Sequence, residues 1–338
     1  MAILTNSRST FDAVGIREDL SNIIYNISPM DTPFLSSSGR GTCDNTLFEW
    51  QTDELATQAA NQQLQGDVPD ALAVSETVMA QNQTQISFKT VATTGTAEAV
   101  DFAGRRSSQA YQMAKRAKEI KRDMEFMLTG NSLRVVGDTT TVPKTACLQS
   151  WLGAKTTATS NLIDAGNGTG VGLVNVSASV YANGTAVKTG TTPTKQLTQA
   201  HIDLVVERCY TAGGSPDTMF CKPDLKVRLS AIAGASVAEL RTVTKGDKMA
   251  HAINAVDVVV TDFGTFKFVP NRFCDQGAIG IVYVIDWDYW SINYLRPFQT
   301  LNLAKTGDNV KQKMLAEYGL EAKNGRSSGA IVSCKATA

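Results

Sequence analysis

A chain of 338 residues with 43% apolar content can bury a substantial core, and its 32 basic and 32 acidic side chains leave no net charge. That balance excludes an overall pull toward nucleic acid or anionic membrane. Six cysteines without a C-x-x-C pair and only two histidines argue against a zinc site or a disulfide framework. No apolar run approaches the ~18 residues of a membrane span, and the N-terminus lacks the pattern of a signal peptide. The charge is unevenly placed. Residues 1–88 carry three basic and eleven acidic side chains, a net of −8, and the remainder carries 29 basic and 21 acidic, a net of +8. Such halves predict that the N-terminal part lies against basic surface, in its own chain or a neighbour's.

Residues 1–44 read as an arm. Leu20, Ile23, Ile24 and Ile27 form a short helical face ended by Ser28-Pro29, with nothing in the segment to cover it. Asp31-Thr32-Pro33 reads as a turn, and Ser36 to Gly41 as a flexible joint. Residues 45–95 begin and end as strands, NTLFEWQTDELA and TQISFKTVATTG, around a glutamine-rich polar middle containing GDVPD. A loop of that length inside a compact domain needs an external role.

From about Ala97 to Gly130 the pattern predicts one long helix of ~30 residues, about 45 Å at 1.5 Å per residue. Ala110, Met113, Ala117, Ile120, Met124 and Met127 make its narrow apolar stripe, and Gly130-Asn131 its stop. Leu133 to Leu152 suggests two short extended pieces. Residues 153–196 are rich in threonine and glycine. A second folded unit begins near Gln196. Thr198 caps a helix with face Ile202, Val205, Val206 and Cys209, DTMFCKP is a buried strand, and KPDLKVRLSAIAG is a second helix. Strands follow in NAVDVVVTDFGTFKFVPN and GAIGIVYVIDWDYWSINYL, then two more joined by a turn at Thr306 to Asn309, with a small, polar tail after Gly325 expected to be partly loose. The mixture indicates an α+β fold.

Motifs that resemble catalytic signatures do not survive their context. Asp262-Phe263-Gly264 has no kinase elements upstream and reads as a tight turn. GNGTG at Gly166 to Gly170 lacks the Lys-Ser/Thr of a phosphate loop. His201 and His251 read as structural. Asp286 and Asp288, either side of Trp287, are expected to share one solvated face, whereas an acid/base pair needs two different environments. The sequence therefore offers no catalytic, cofactor-binding or metal-binding residues. Arg105, Arg106, Lys115, Arg116, Lys118, Lys121 and Arg122 outweigh Glu119, Asp123 and Glu125 on the long helix, and form a candidate DNA-facing set of the sequence-blind kind.

Taken in order, the arm (REDLSNIIYNISPMDTPF), the loop entry (NTLFEWQTDELA), EIKRDMEFMLTGN in the long helix, TDFG, and LRPFQTLNLAKTGDNVKQKMLAEYGLEAKN resemble the major capsid proteins of tailed bacteriophages with the Hong Kong 97 type fold. These stretches run from Arg17 to Asn324. The resemblance implies an arm (1–44), an extended loop over an adjacent subunit (45–95), a peripheral domain with a spine helix and the Thr/Gly-rich segment (96–194), an axial domain (195–290), and closing strands of the peripheral domain with a C-terminal tail (291–338). Arg17, Glu18, Asp19, Leu20, Ile23, Ile24 and Ile27 of the arm, with Glu49, Trp50, Asp53 and Glu54 of the loop, become candidate subunit-interface residues. The implied function is structural rather than enzymatic: pentamers and hexamers of this chain close an icosahedral virion shell around double-stranded DNA. Assembly would occur in the host bacterial cytoplasm with portal, scaffolding and cementing proteins as partners and no membrane. An encapsulin-like nanocompartment shell enclosing an enzyme, and an enzyme of unrecognised type, are the alternatives. Some shells of this fold lock through a loop lysine, and this chain has none before Lys89, so non-covalent locking is expected.

Overall fold

The computed structural model describes residues 31–56, 58–63, 65–66, 76–130, 132–152, 162–164, 172–173, 195–236, 258–274 and 280–335. The polypeptide first forms a short helix α1 (Pro33–Ser37), started by proline at its first turn, and a strand β1 (Gly39–Thr42). The joint expected at Ser36 to Gly41 is thus regular structure. Gly39 to Thr42 pair in parallel with Ser291 to Tyr294, which satisfies the backbone of a segment whose side chains alone suggest a linker.

Strands β2 (Leu47–Thr52) and β3 (Val78–Gln83) form an antiparallel pair, and β4 (Gln85–Thr94) follows almost without a break. The loop region therefore has three strands where the sequence suggested two. The last of them, β4, belongs to the body: it pairs with β13 (Asn309–Ala322), which pairs with β12 (Trp290–Asn302), giving the order β1-β12-β13-β4. The β12–β13 connection is the turn expected at Thr306 to Asn309, with Gly307 in the left-handed region at φ +85°.

The long helix is shorter than its pattern. A one-turn helix α2 (Gly95–Ala99) ends at extended Val100, and the spine helix α3 runs Ser108–Leu128, about 32 Å at 1.5 Å per residue. Between them Gly104 has φ +76° and the Arg105 guanidinium lies 4.1 Å from the Phe102 ring centroid. Ser107 then starts α3, its hydroxyl accepting the Ala110 N–H. The cap, not the apolar period, sets the start. Met113, Ile120, Met124 and Leu128 carry the buried stripe across β4 and β13, whereas Ala110 is exposed. A bridge between Val135 and Lys144 and a helix α4 (Leu148–Trp151) occupy the stretch expected to be extended.

The second sheet contains β5 (Leu162–Asp164), β6 (Gly172–Leu173), β7 (Lys195–Gln196), β8 (Thr218–Cys221), β9 (Val258–Thr261), β10 (Gly264–Pro270), β11 (Gly280–Ile285) and β14 (Gly329–Lys335), with helices α5 (Gln199–Thr211) and α6 (Pro223–Ser236). Both helices and the TDFG turn lie where the sequence placed them. The tail does not. Strand β14 pairs with β11 and with β5, and Ala330, Ile331, Val332 and Cys334 are buried. Small residues after Gly325 are there because the strand is covered on both faces, and the expectation of a loose tail is corrected. The sheet that includes 195–290 is completed by strands from outside that stretch.

Period-two alternation distributes the core. Tyr283, Ile285, Ala330 and Val332 face the cluster shared with α1, α3, α4 and the first sheet, while Val282, Val284 and Ile331 face α5 and α6, joined by Cys334 beyond the register shift between β11 and β14. Asp286 departs from the solvated strand register expected of it. It is 7% exposed, caps the short 3-10 turn at Trp287–Tyr289, and accepts the Ser215 N–H, whereas Asp288 is exposed. His201 serves as a helix cap, its Nδ1 3.0 Å from the Thr198 hydroxyl. Gly166 to Gly170 and His251 lie outside the described residues.

Candidate assembly surfaces

Four places on the subunit are candidate assembly surfaces. The first is the root of the arm. Glu125, on α3, is fully buried, and its Oε1 accepts the Phe34 N–H at 2.9 Å and the Asn271 Nδ2–H at 2.6 Å, while Oε2 accepts the Leu35 N–H at 2.8 Å. One carboxylate thus ties together the start of α1, the spine helix and the end of β10. Burial pushes its pKa above the ordinary glutamate value, against the pull of those three hydrogen bonds. In the sequence Glu125 figures only among the acidic residues that the basic set outweighs. Only its place beside the apolar Met124 and Leu128 could have hinted otherwise. Arg17, Glu18, Asp19, Leu20, Ile23, Ile24 and Ile27 lie outside the described residues.

The second is the hairpin β2–β3. Trp50 is half-buried in its own chain: its indole N–H donates to the Ala322 carbonyl at 3.0 Å, and its ring lies 5.2 Å from that of Trp151 and 5.7 Å from that of Phe48. The ring anchors the hairpin to the body of its own chain. Glu54 pairs with Arg326 at 2.6 Å in its own chain, while Glu49 and Asp53 are exposed. Beyond the anchor the hairpin presents apolar groups to solvent: Leu55 is 98% exposed, and Val78 and Met79 about half. Its close approach to the sheet depends on Gly319, where a Cβ would stand 2.4 Å from the Phe48 ring.

The third is the basic set, which does not form one strip. Arg116 is neutralised by Glu119 at 2.5 Å, Arg105 lies over Phe102 and Tyr111, and the Arg122 guanidinium lies 5.3 Å from the Phe273 ring centroid. Arg106 sits ahead of α3 and is exposed. At ~100° per residue Lys115 and Lys118 fall on the side away from the core stripe, where both are exposed, and Lys121 lines the space beside α1. Lys89 of β4 pairs with Asp123 at 2.7 Å.

The fourth is a cavity of about 310 Å³ between α1, β1, α3 and β12, lined among others by Leu35, Arg40, Lys121, Tyr294, Pro297 and Phe298. Among the described residues neither Arg40 nor Lys121 has a carboxylate at ion-pair distance.

Comparison with known proteins places this architecture. The solved capsid of cyanophage A-1(L) is similar at 12% identity and a TM-score of 0.67, over 97% of this chain and 99% of that one. The capsid of a native GTA particle is similar at 10% identity and a TM-score of 0.59, over 96% and 98%. The SrpI encapsulin of Synechococcus elongatus is similar at 7% and 0.55, over 95% and 94%. At these identities the likeness shows the fold, that of Hong Kong 97 type capsid proteins. In sequence the chain is 27% identical over 340 residues to the major capsid protein of Escherichia phage Phieco32, covering 95% of each. The family described as SU10 major capsid protein matches residues 3–335. With the fold and the sequence in agreement over nearly its whole length, the chain belongs to the SU10 major capsid protein family.

Proposed function

We propose that this phage major capsid protein builds the head shell from pentamers and hexamers of a single subunit, closed as an icosahedron around double-stranded DNA. In that reading the arm and the hairpin reach neighbouring subunits, the four-stranded sheet with α3 forms the peripheral part, and the larger sheet the axial part. The observation that carries it is the β2–β3 hairpin, pinned at its base by Trp50 and Phe48 yet exposing Leu55, Val78 and Met79. Apolar side chains left bare on a projecting hairpin indicate a partner surface, and the charge split favours a second copy of the chain. Lys115 and Lys118, both exposed, are the part of the basic set that supports weak, sequence-blind contact with packaged DNA. Portal, scaffolding and cementing proteins complete the expected partners, with assembly in the host cytoplasm. The chain's role is architectural, and we assign it no catalysed reaction.

Electron microscopy of the purified protein tests this directly. Closed shells of uniform diameter are expected on assembly, and a population confined to soluble monomers or small rings under all assembly conditions overturns the proposal. The nanocompartment alternative rests on the encapsulin neighbour alone, which shares 7% identity, and the family match favours the phage reading.

A further inference from the structure

The segment Asp53-Glu54-Leu55 after β2 and the cavity beside the arm root are chemically complementary, and among the described residues nothing in the subunit joins them. The cavity, about 310 Å³, is at the lower end of the ~300–1,000 Å³ of ligand pockets. Its wall is apolar and aromatic (Leu35, Tyr294, Pro297, Phe298), and its rim holds two cations, Arg40 and Lys121. Both cations are exposed and without an ion pair among the described residues. Such a site takes an apolar side chain flanked by carboxylates. The chain itself offers one: Asp53-Glu54-Leu55, with Leu55 98% exposed and Asp53 free of any cation among the described residues. The surrounding stretch, residues 41–88, contains seven acidic side chains and no lysine or arginine. Within one subunit Glu54 is tied to Arg326, and Leu55 next to it remains in solvent.

We propose that the cavity between α1 and β12 is the socket for Leu55 of a second copy of this chain, with Asp53 of that copy facing Lys121 and Arg40. The inference rests on the shell reading above and deepens it, by naming where the hairpin docks. The apolar wall removes the leucine from water, while the two rim cations fix orientation and reject a hairpin of the wrong charge. It also assigns Lys121 to protein contact rather than to DNA.

The test uses co-assembled shells of two full-length variants in a Cys43→Ser background, one carrying Leu55→Cys and the other Phe298→Cys, treated with a short bis-maleimide. The expected result is a heterodimer band whose bridged peptides join position 55 to position 298, absent when either variant assembles alone. In parallel, Lys121→Glu should lower shell yield at least tenfold with thermal melting of the subunit unchanged, and Asp53→Lys in the same chain should restore it. Shells that form normally but give no 55–298 bridge, or a Lys121→Glu defect that Asp53→Lys does not relieve, overturn this inference alone. Wild-type protein that never closes shells overturns the shell reading with it. Occupation of the cavity by the arm would appear as protection of position 298 from maleimide in shells whose position 55 stays reactive, which also overturns it.

Discussion

Glu125 of the spine helix holds the Phe34 N–H at 2.9 Å across 91 residues of sequence. The same carboxylate takes the next N–H, of Leu35, and the Asn271 amide, so helix, arm root and second sheet meet at one buried carboxylate that has no cation at ion-pair distance among the described residues. Hydrogen bonds to an ionised group are among the stronger ones, and removing one partner exposes the cost of the others.

Glu125→Gln puts an amide where a carboxylate oxygen faced the Leu35 N–H, so one bond is lost and two donors oppose each other. A loss of about 1–3 kcal/mol is expected. The pH dependence has a defined sign. Because burial raises the folded pKa of Glu125 above the unfolded value, the folded state binds the extra proton between the two. The stability associated with that raised pKa is complete below the unfolded value and lost as pH rises through the folded one. The stability of wild type relative to Glu125→Gln should therefore increase as pH falls from neutrality toward 4.5. Paired thermal melts check this, and a difference that is flat or shrinks toward acid contradicts it.

Gly319 is where the hairpin meets the sheet. A Cβ there would come within 2.4 Å of Phe48 Cε1 and 2.7 Å of Cζ. Gly319→Ala should cost about 1–3 kcal/mol by overpacking and lift β2–β3 from its seat. Subunits would stay folded while shell closure fails, and Gly319→Ala with Phe48→Leu should recover part of both losses, as read by melting and electron microscopy.

Sequence pattern revealed those elements whose burial is one-sided. Ile202, Val205, Val206 and Cys209 stand at helical spacing because α5 covers one face of a sheet, and they are the side chains found buried. Strand β14 was missed for the opposite reason: a strand covered on both faces shows no alternation, and its glycine, alanine and serine read as linker. The arm root was missed because its order comes from backbone pairing with β12 and from Glu125, neither of which has a periodic signature. The hairpin's first strand was legible in NTLFEWQTDELA, but its anchor was not. Nothing local to Trp50 signals that Ala322, 272 positions later, accepts its N–H.

The place of β14 has a measurable consequence. Ile331 is fully buried between β11 and the helices α5 and α6, so Ile331→Ala should destabilise the subunit by about 2–5 kcal/mol. Ending the chain before Gly329 removes a strand from inside the sheet and should give insoluble protein. A truncated chain that melts like the full one would mean that the sheet closes without β14.

The shell should be held without covalent bonds between subunits. An isopeptide link from the hairpin needs a lysine amine there, and the chain has none before Lys89. Lys89 is on β4, in the body, with its amine 2.7 Å from Asp123, and both groups are a third to a half exposed. Such a pair contributes only about 0–1 kcal/mol, so Lys89→Met should barely change melting. A disulfide at the hairpin root is no more available. Cys43 is the one cysteine that is not buried, and burial together with the nearby Glu317 and Asp44 carboxylates raises its thiol pKa, which leaves little thiolate at neutral pH. Shells boiled in detergent with reductant should run as a single band near 36.2 kDa, for wild type and Lys89→Met alike. A ladder of oligomers that survives that treatment in wild type and vanishes in Lys89→Met would identify Lys89 as a cross-linking amine and refute non-covalent closure.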